Sequence, residues 1–311
     1  MTRVGIAGAG AWGLALAHAA KRAGATPVLW SRRGDSIADG FAVSGDLCVL
    51  ADVDLLLLTV SAQDLASVAG RMIGVAPTLP LVICAKGIAR PGHRLLSDVL
   101  GEALPGRPVA VLSGPSFAVE VTAGLPTAVT IASIDAAVAQ RIAEALSSQN
   151  FRPYVSTDPV GVQLGGAVKN VIAIACGIVA GRKAGENARA ALMTRGLAET
   201  ARLGRAMGAN PETFAGLAGL GDLSLTATSM TSRNFHLGAA LGQGRTLAEA
   251  RAEVGGTVEG VATARAVVEL AERHGVEMPI STAVAAIVED GADIGRTIAA
   301  LLSRPLKSET A

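Results

Sequence analysis

The sequence predicts an α/β chain in which a sheet-bearing N-terminal domain is followed by an all-helical C-terminal domain. Two patterns and one motif predict it. Short β-rich runs alternate with helical periodicity up to about residue 155, and no convincing strand follows Thr157. A glycine-rich turn stands between the first strand and the first helix. The domains are therefore drawn as residues 1–156 and 157–311.

In order, the predicted strands are Val4–Ala7, Pro27–Trp30, Leu55–Val60, Leu81–Cys84, Val109–Leu112 and Ala128–Ala132, arranged as a parallel sheet. Leu55-Leu56-Leu57-Leu58 lacks polar alternation, as expected of a central strand covered on both faces. Leu14–Ala23, Asp64–Ile73 and Ala136–Leu146 carry helical periodicity between the strands. Beyond them, Val160–Val179, Arg189–Met207, Thr246–Ala252 and Val261–His274 read as helices punctuated by Gly and Pro.

Composition narrows the function classes. Of 311 residues half are hydrophobic but only 3% aromatic, so the core is built from Ala, Val, Leu and Ile, with glycines permitting close approach. Twenty-seven basic residues balance 26 acidic ones, which lacks the electrostatic footprint of a nucleic-acid binder and points to a small-molecule partner. Cys48, Cys84 and Cys176 lie far apart with no C-x-x-C pair, so neither a disulfide framework nor a metal site is expected, and a reducing cytoplasm fits. His18, His93, His236 and His274 are scattered singly, again without metal-ligand spacing. Gly5, Gly8, Gly10 and Gly13 interrupt the apolar start of the chain, against a secretory signal. The apolar uncharged stretch Val171–Gly181 is too short for a bilayer, so membrane insertion is not expected.

Gly8-Ala9-Gly10-Ala11-Trp12-Gly13 follows the first strand and opens a helix, which is the context in which G-x-G-x-x-G binds a dinucleotide. Gly8 permits the tight turn, Gly10 lets the backbone approach a pyrophosphate, and Gly13 lets helix pack on strand. The N-terminal domain is thus predicted to be Rossmann-like. About 20 residues further on, an NAD-selective chain carries Asp or Glu for the ribose 2′-hydroxyl. Here Ser31-Arg32-Arg33 stands instead, and two guanidinium groups suit a 2′-phosphate, favouring NADP(H). Asp35 nearby keeps NAD(H) possible.

Five further segments carry chemistry. Lys86, in Cys84-Ala85-Lys86-Gly87, lies just past a strand end, where α/β sheets bind ligands. Ser113-Gly114-Pro115-Ser116 offers a hydroxyl and a glycine N–H one strand later. Lys169, in Gly165–Asn170, falls within a helix apolar almost all round, where an unpaired lysine is costly and therefore a candidate functional group. Asp222 ends Gly219-Leu220-Gly221-Asp222, and Ser232-Arg233-Asn234 groups donors suited to a phosphate. Together they predict a dehydrogenase for a small phosphorylated substrate. A hydroxy-acid dehydrogenase of the same architecture and a dinucleotide-sensing regulator are the alternatives.

These stretches, with Leu112–Ala118, Gly216–Asp222 and Val258-Glu259-Gly260, resemble the bacterial type of NAD(P)-dependent glycerol-3-phosphate dehydrogenase over nearly the whole chain. The resemblance implies interconversion of sn-glycerol 3-phosphate and dihydroxyacetone phosphate, chiefly supplying phospholipid synthesis. It implies Lys169 as catalytic lysine, with Lys86, Gly114, Ser116, Lys169, Asp222, Ser232, Arg233 and Asn234 on the substrate. On the cofactor side it adds Ala11, Trp12, Arg32, Lys86, Ala118, Arg233, Thr257 and Glu259 to the glycines, and Arg33 joins them through the 2′-phosphate. The chain departs from the pattern in a shorter stretch between Arg33 and Asp52, in Ala11 where serine is common, in Ser61-Ala62-Gln63 and in Thr257. The apolar helical half offers surface for a homodimer.

Overall fold

The computed structural model describes residues 1–75, 78–90 and 92–305; the last six residues of the predicted helical domain, 306–311, lie outside the described residues. The first half runs β1 (Arg3–Ala7), α1 (Ala11–Arg22), β2 (Thr26–Trp30), β3 (Ser36–Ala38), β4 (Phe41–Ser44), β5 (Leu55–Leu58), α2 (Leu65–Arg71) and β6 (Leu81–Ile83). It continues α3 (Leu96–Ala103), β7 (Val109–Ser113), α4 (Ala118–Ala123), β8 (Thr127–Ala132), α5 (Ala136–Leu146) and β9 (Phe151–Ser156). The strands form one sheet in the order β3-β4-β2-β1-β5-β6-β7-β8-β9. Leu55–Leu58 is buried throughout, as its unbroken apolar run requires. Alternate residues of the strands feed two apolar clusters, one containing Ile6, Leu57 and Leu112 and the other Leu56, Leu58 and Val111.

Every predicted strand is present, but the sheet is not wholly parallel. β7 and β8 are antiparallel, and β3 pairs antiparallel with β4. The link after β7 contains only the six-residue α4. At about 1.5 Å per residue this helix rises roughly 9 Å, less than a strand of β7's length, so the chain re-enters the sheet from the edge it left. The β3–β4 hairpin escaped periodicity because its strands are too short, yet it turns on Asp39-Gly40, both with positive φ (52° and 79°). Asp-Gly is a strong local hairpin signal. The edge strand β9 was hidden by Pro153, which edge positions tolerate and central ones do not.

The remainder is helical: α6 (Pro159–Gly181), α7 (Glu186–Ala206), α8 (Asp222–Thr228), α9 (Arg233–Gly242), α10 (Leu247–Val254), α11 (Glu259–Arg273), α12 (Pro279–Glu289) and α13 (Ile294–Leu302). A π-type segment, Leu217–Gly221, leads into α8. α6 is long and apolar enough to cross a membrane, which counting uncharged residues alone did not reveal, yet 83% of its most apolar window is buried inside the protein. Glycines explain how its neighbours come so close. A Cβ on Gly177 would stand 2.1 Å from the Phe235 carbonyl oxygen, and one on Gly238 2.1 Å from that of Ile174, so α6 and α9 meet backbone to backbone.

Candidate active site

The glycine turn has the shape its sequence predicts. Gly8 has φ +119°, a conformation that L side chains rarely adopt. A Cβ on Gly13 would sit 1.9 Å from the Gly8 carbonyl oxygen, whereas nothing lies within 4 Å of one on Gly10. Gly13 therefore seals helix against turn, and Gly10 leaves the backbone open to a ligand. α1 begins at Ala11 with no side-chain cap and no acidic residue in its first turn, so its N-terminal N–H groups and positive dipole end are available to an anion. The Trp12 indole N–H is buried beside the turn without a partner. These features fit a dinucleotide pyrophosphate.

Both flanks of the turn are tied to it. Gly8 N donates to the Trp30 carbonyl at 2.9 Å, and Thr59 Oγ1 donates to the Gly8 carbonyl at 2.7 Å. Just beyond Trp30, Gly34 N donates to the Ser31 carbonyl at 3.2 Å, closing a turn that presents Arg32 and Arg33. Arg32 pairs with Asp64 at 2.9 Å. Asp35, which kept NAD(H) open in the sequence, instead accepts from Gly45 N at 2.7 Å and secures the start of the loop that follows β4.

The second cluster is built on α6. A Cβ on Gly165 would stand 2.4 Å from the Ala218 carbonyl oxygen, and one on Gly166 2.5 Å from Ser113 Oγ. These two glycines let the segment before α8 and the end of β7 close onto the helix one turn before Lys169. The Lys169 ammonium donates to Asp222 Oδ1 and, at 2.8 Å, to Thr226 Oγ1. Lys86 donates to Asp222 Oδ2 at 2.7 Å and to the Gly114 carbonyl at 2.9 Å. One carboxylate thus holds two ammonium groups from opposite halves of the chain. Burial lowers the Lys169 pKa from 10.5 to about 8, with Asp222 opposing the shift. Burial pushes the Asp222 carboxyl up, but Lys169 and Lys86 outweigh it and leave it below its ordinary value.

Around this cluster Ser116 Oγ donates to the Gly114 carbonyl at 2.9 Å, and Ala118 opens α4. Ser232 caps α9, accepting from Phe235 N at 3.3 Å, with Arg233 exposed at the first helical position. Asn234 is committed on both sides: its oxygen accepts from Gly260 N at 3.0 Å and its amide donates to Asn170 Oδ1 at 2.9 Å. Asn170 in turn donates to the Lys86 carbonyl at 3.1 Å. Thr257 is exposed before α11 and Glu259 opens that helix; burial raises the Glu259 carboxyl, against the positive charges of Lys169, Lys86 and Arg233. Arg32 and Arg33 stand apart on the far flank of the glycine turn. Sequence reasoning missed Thr226, Asn170 and Asp64. Only Thr226 carried a signal, lying four residues after Asp222 and so on the same helix face. Among the described residues no group of three His, Cys, Asp or Glu side chains could hold a metal ion.

A dinucleotide turn and a buried lysine–aspartate pair sharing the carboxyl edge of one sheet define a nicotinamide-dependent dehydrogenase. The chain belongs to the NAD-dependent glycerol-3-phosphate dehydrogenase family: residues 41–139 match the family's N-terminus and residues 158–299 its C-terminus. It is 50% identical to glycerol-3-phosphate dehydrogenase [NAD(P)+] of Parvibaculum lavamentivorans, covering 99% of this chain and 98% of the relative. It is 49% identical to the Caulobacter vibrioides enzyme of the same name, with the same coverage of each. The crystal structure of glycerol-3-phosphate dehydrogenase from Coxiella burnetii superposes with a TM-score of 0.92 at 39% identity, covering 97% of this chain and 99% of that one.

Proposed function

We propose that Lys169 moves the proton in the reaction of this chain, the NAD(P)(H)-dependent interconversion of sn-glycerol 3-phosphate and dihydroxyacetone phosphate that supplies phospholipid synthesis. The observation that carries the proposal is the buried Lys169–Asp222 pair at the sheet edge. A bound nicotinamide supplies the hydride, or accepts it in reverse. At neutral pH Lys169 is an ammonium and donates to the ketone oxygen as that oxygen gains charge; as a neutral amine it takes the hydroxyl proton in the opposite direction. Asp222 keeps the Lys169 ammonium aimed, and Thr226 fixes it from the side.

Arg233, with Ser232 and Asn234 beside it, is assigned the substrate phosphate; its guanidinium is exposed and suited to two-pronged contact. Lys86, Gly114 and Ser116 are assigned the remaining substrate oxygens. Gly8, Gly10, Ala11, Trp12 and Gly13 would hold the pyrophosphate, Arg32 and Arg33 the adenosine ribose, and Ala118, Thr257 and Glu259 the nicotinamide side with Lys86 and Arg233. In this proposal residues 1–156 form the dinucleotide domain and 157–311 the substrate domain, working in the cytoplasm as a homodimer, with the two arginines favouring NADP(H).

Steady-state assays should show dihydroxyacetone phosphate reduced with NADPH or NADH and a panel of 2-keto acids left untouched. Turnover of a keto acid without turnover of the phosphate ester would overturn the assignment.

A further inference from the structure

We propose that Asp64 sets the cofactor preference of this chain: by pairing with Arg32 it opposes the 2′-phosphate of NADP(H) and keeps NAD(H) competitive. The inference rests on the reading that Arg32 faces the adenosine ribose. Arg32 follows β2 and Asp64 follows β5, while β1 lies between these strands and releases the glycine turn at the same edge. Their 2.9 Å ion pair therefore spans the edge of the sheet beside the turn. With a pyrophosphate on the N-terminus of α1, the adenosine ribose of a dinucleotide falls on this flank.

Asp64 is fixed rather than adventitious. Ser61 Oγ donates to its Oδ2 at 2.9 Å, and its own backbone N donates to the Ser61 carbonyl at 3.1 Å, leaving Oδ1 for the guanidinium. Arg32 is fixed from the other side by the Ser31–Gly34 turn. A 2′-phosphate near pH 7 carries close to two negative charges. Asp64 already engages Nη2 of Arg32, so a 2′-phosphate on the same guanidinium shares its charge with, and lies close to, the carboxylate. A 2′-hydroxyl brings no such charge, and it can donate to a carboxylate. The acidic residue that usually reads the 2′-hydroxyl ends the second strand. Here Asp64, between β5 and α2, offers a carboxylate on the same flank that the sequence rule does not reach, while Asp35 has Oδ1 engaged by Gly45 N.

The test measures Kd for NADPH and NADH by fluorescence titration of the full chain and of Asp64→Asn, Asp64→Glu and Arg32→Ala. Asp64→Asn should shift preference towards NADPH by about fivefold, the scale of one exposed charge pair, with the shift shrinking at high salt. Asp64→Glu, which keeps the charge, should stay near the parent ratio. Equal changes for both cofactors, no change, or a shift towards NADH on Asp64→Asn would overturn the proposal while leaving Arg32 in place. If Arg32→Ala leaves NADPH and NADH binding both unchanged, the location of Arg32 is itself wrong and the proposal falls with it.

Discussion

The two ends of the site hold their charges in opposite ways. At the end proposed to react Lys169 and Asp222 are 8% and 1% exposed and every polar atom of the pair has a partner. At the end proposed for the adenosine Arg32 and Asp64 are 44% and 40% exposed, and water competes for the same bond. A charge in the buried cluster cannot be removed without stranding another, whereas the exposed pair is a small bias that salt can erase. Chemistry is thus assigned to the end that resists change, and cofactor choice to the end that tolerates it.

The comparison breaks most directly at Lys169. Lys169→Ala should lower turnover by about a thousandfold, the usual reach of one acid–base group, with Kd for NADPH within about twofold of the parent. An equal loss in cofactor affinity would show that the two ends are not separable. Asp222→Asn should cost about 3–5 kcal/mol in chemical denaturation, because two ammonium groups lose their shared counter-charge. It should also lower the apparent pKa of Lys169, since Asp222 is the chief group favouring its ammonium. A smaller effect tests the packing that builds the cluster. Gly165→Ala forces the Ala218 carbonyl away from α6, and about 1–3 kcal/mol of destabilisation is expected. The smallest effect belongs to the exposed end: raising salt to about 0.5 M should weaken NADPH binding several-fold and leave the single-turnover chemical step unchanged.

What could be read from sequence follows the same division between local and distant causes. The glycine turn is a local device whose expected geometry follows from spacing alone: Gly8 has a positive φ, a Cβ on Gly13 would meet the Gly8 carbonyl, and the space beside Gly10 is open. Lys169 was legible because a charge interrupts an otherwise apolar helix. Asp222 was legible from its own turn, but its pairing with Lys169 and the role of Thr226 were not, since both reach Lys169 across more than 50 residues and that contact depends on Gly165 and Gly166 meeting segments elsewhere in the chain. Asp64 was hidden for the same reason: only the strand order brings the end of β5 opposite the end of β2. In the fold, the Asp39-Gly40 hairpin carried a usable local signal, while the antiparallel β8 depended on how short a connection α4 makes.

The central claim is that Lys169 carries the proton from a buried position that lowers its pKa to about 8. Single-turnover rates measured against pH in both directions test it. Ketone reduction requires the ammonium and should fall as pH rises through about 8, while alcohol oxidation requires the free amine and should rise through the same midpoint. Rates flat across this range, or moving together in the two directions, would contradict the assignment.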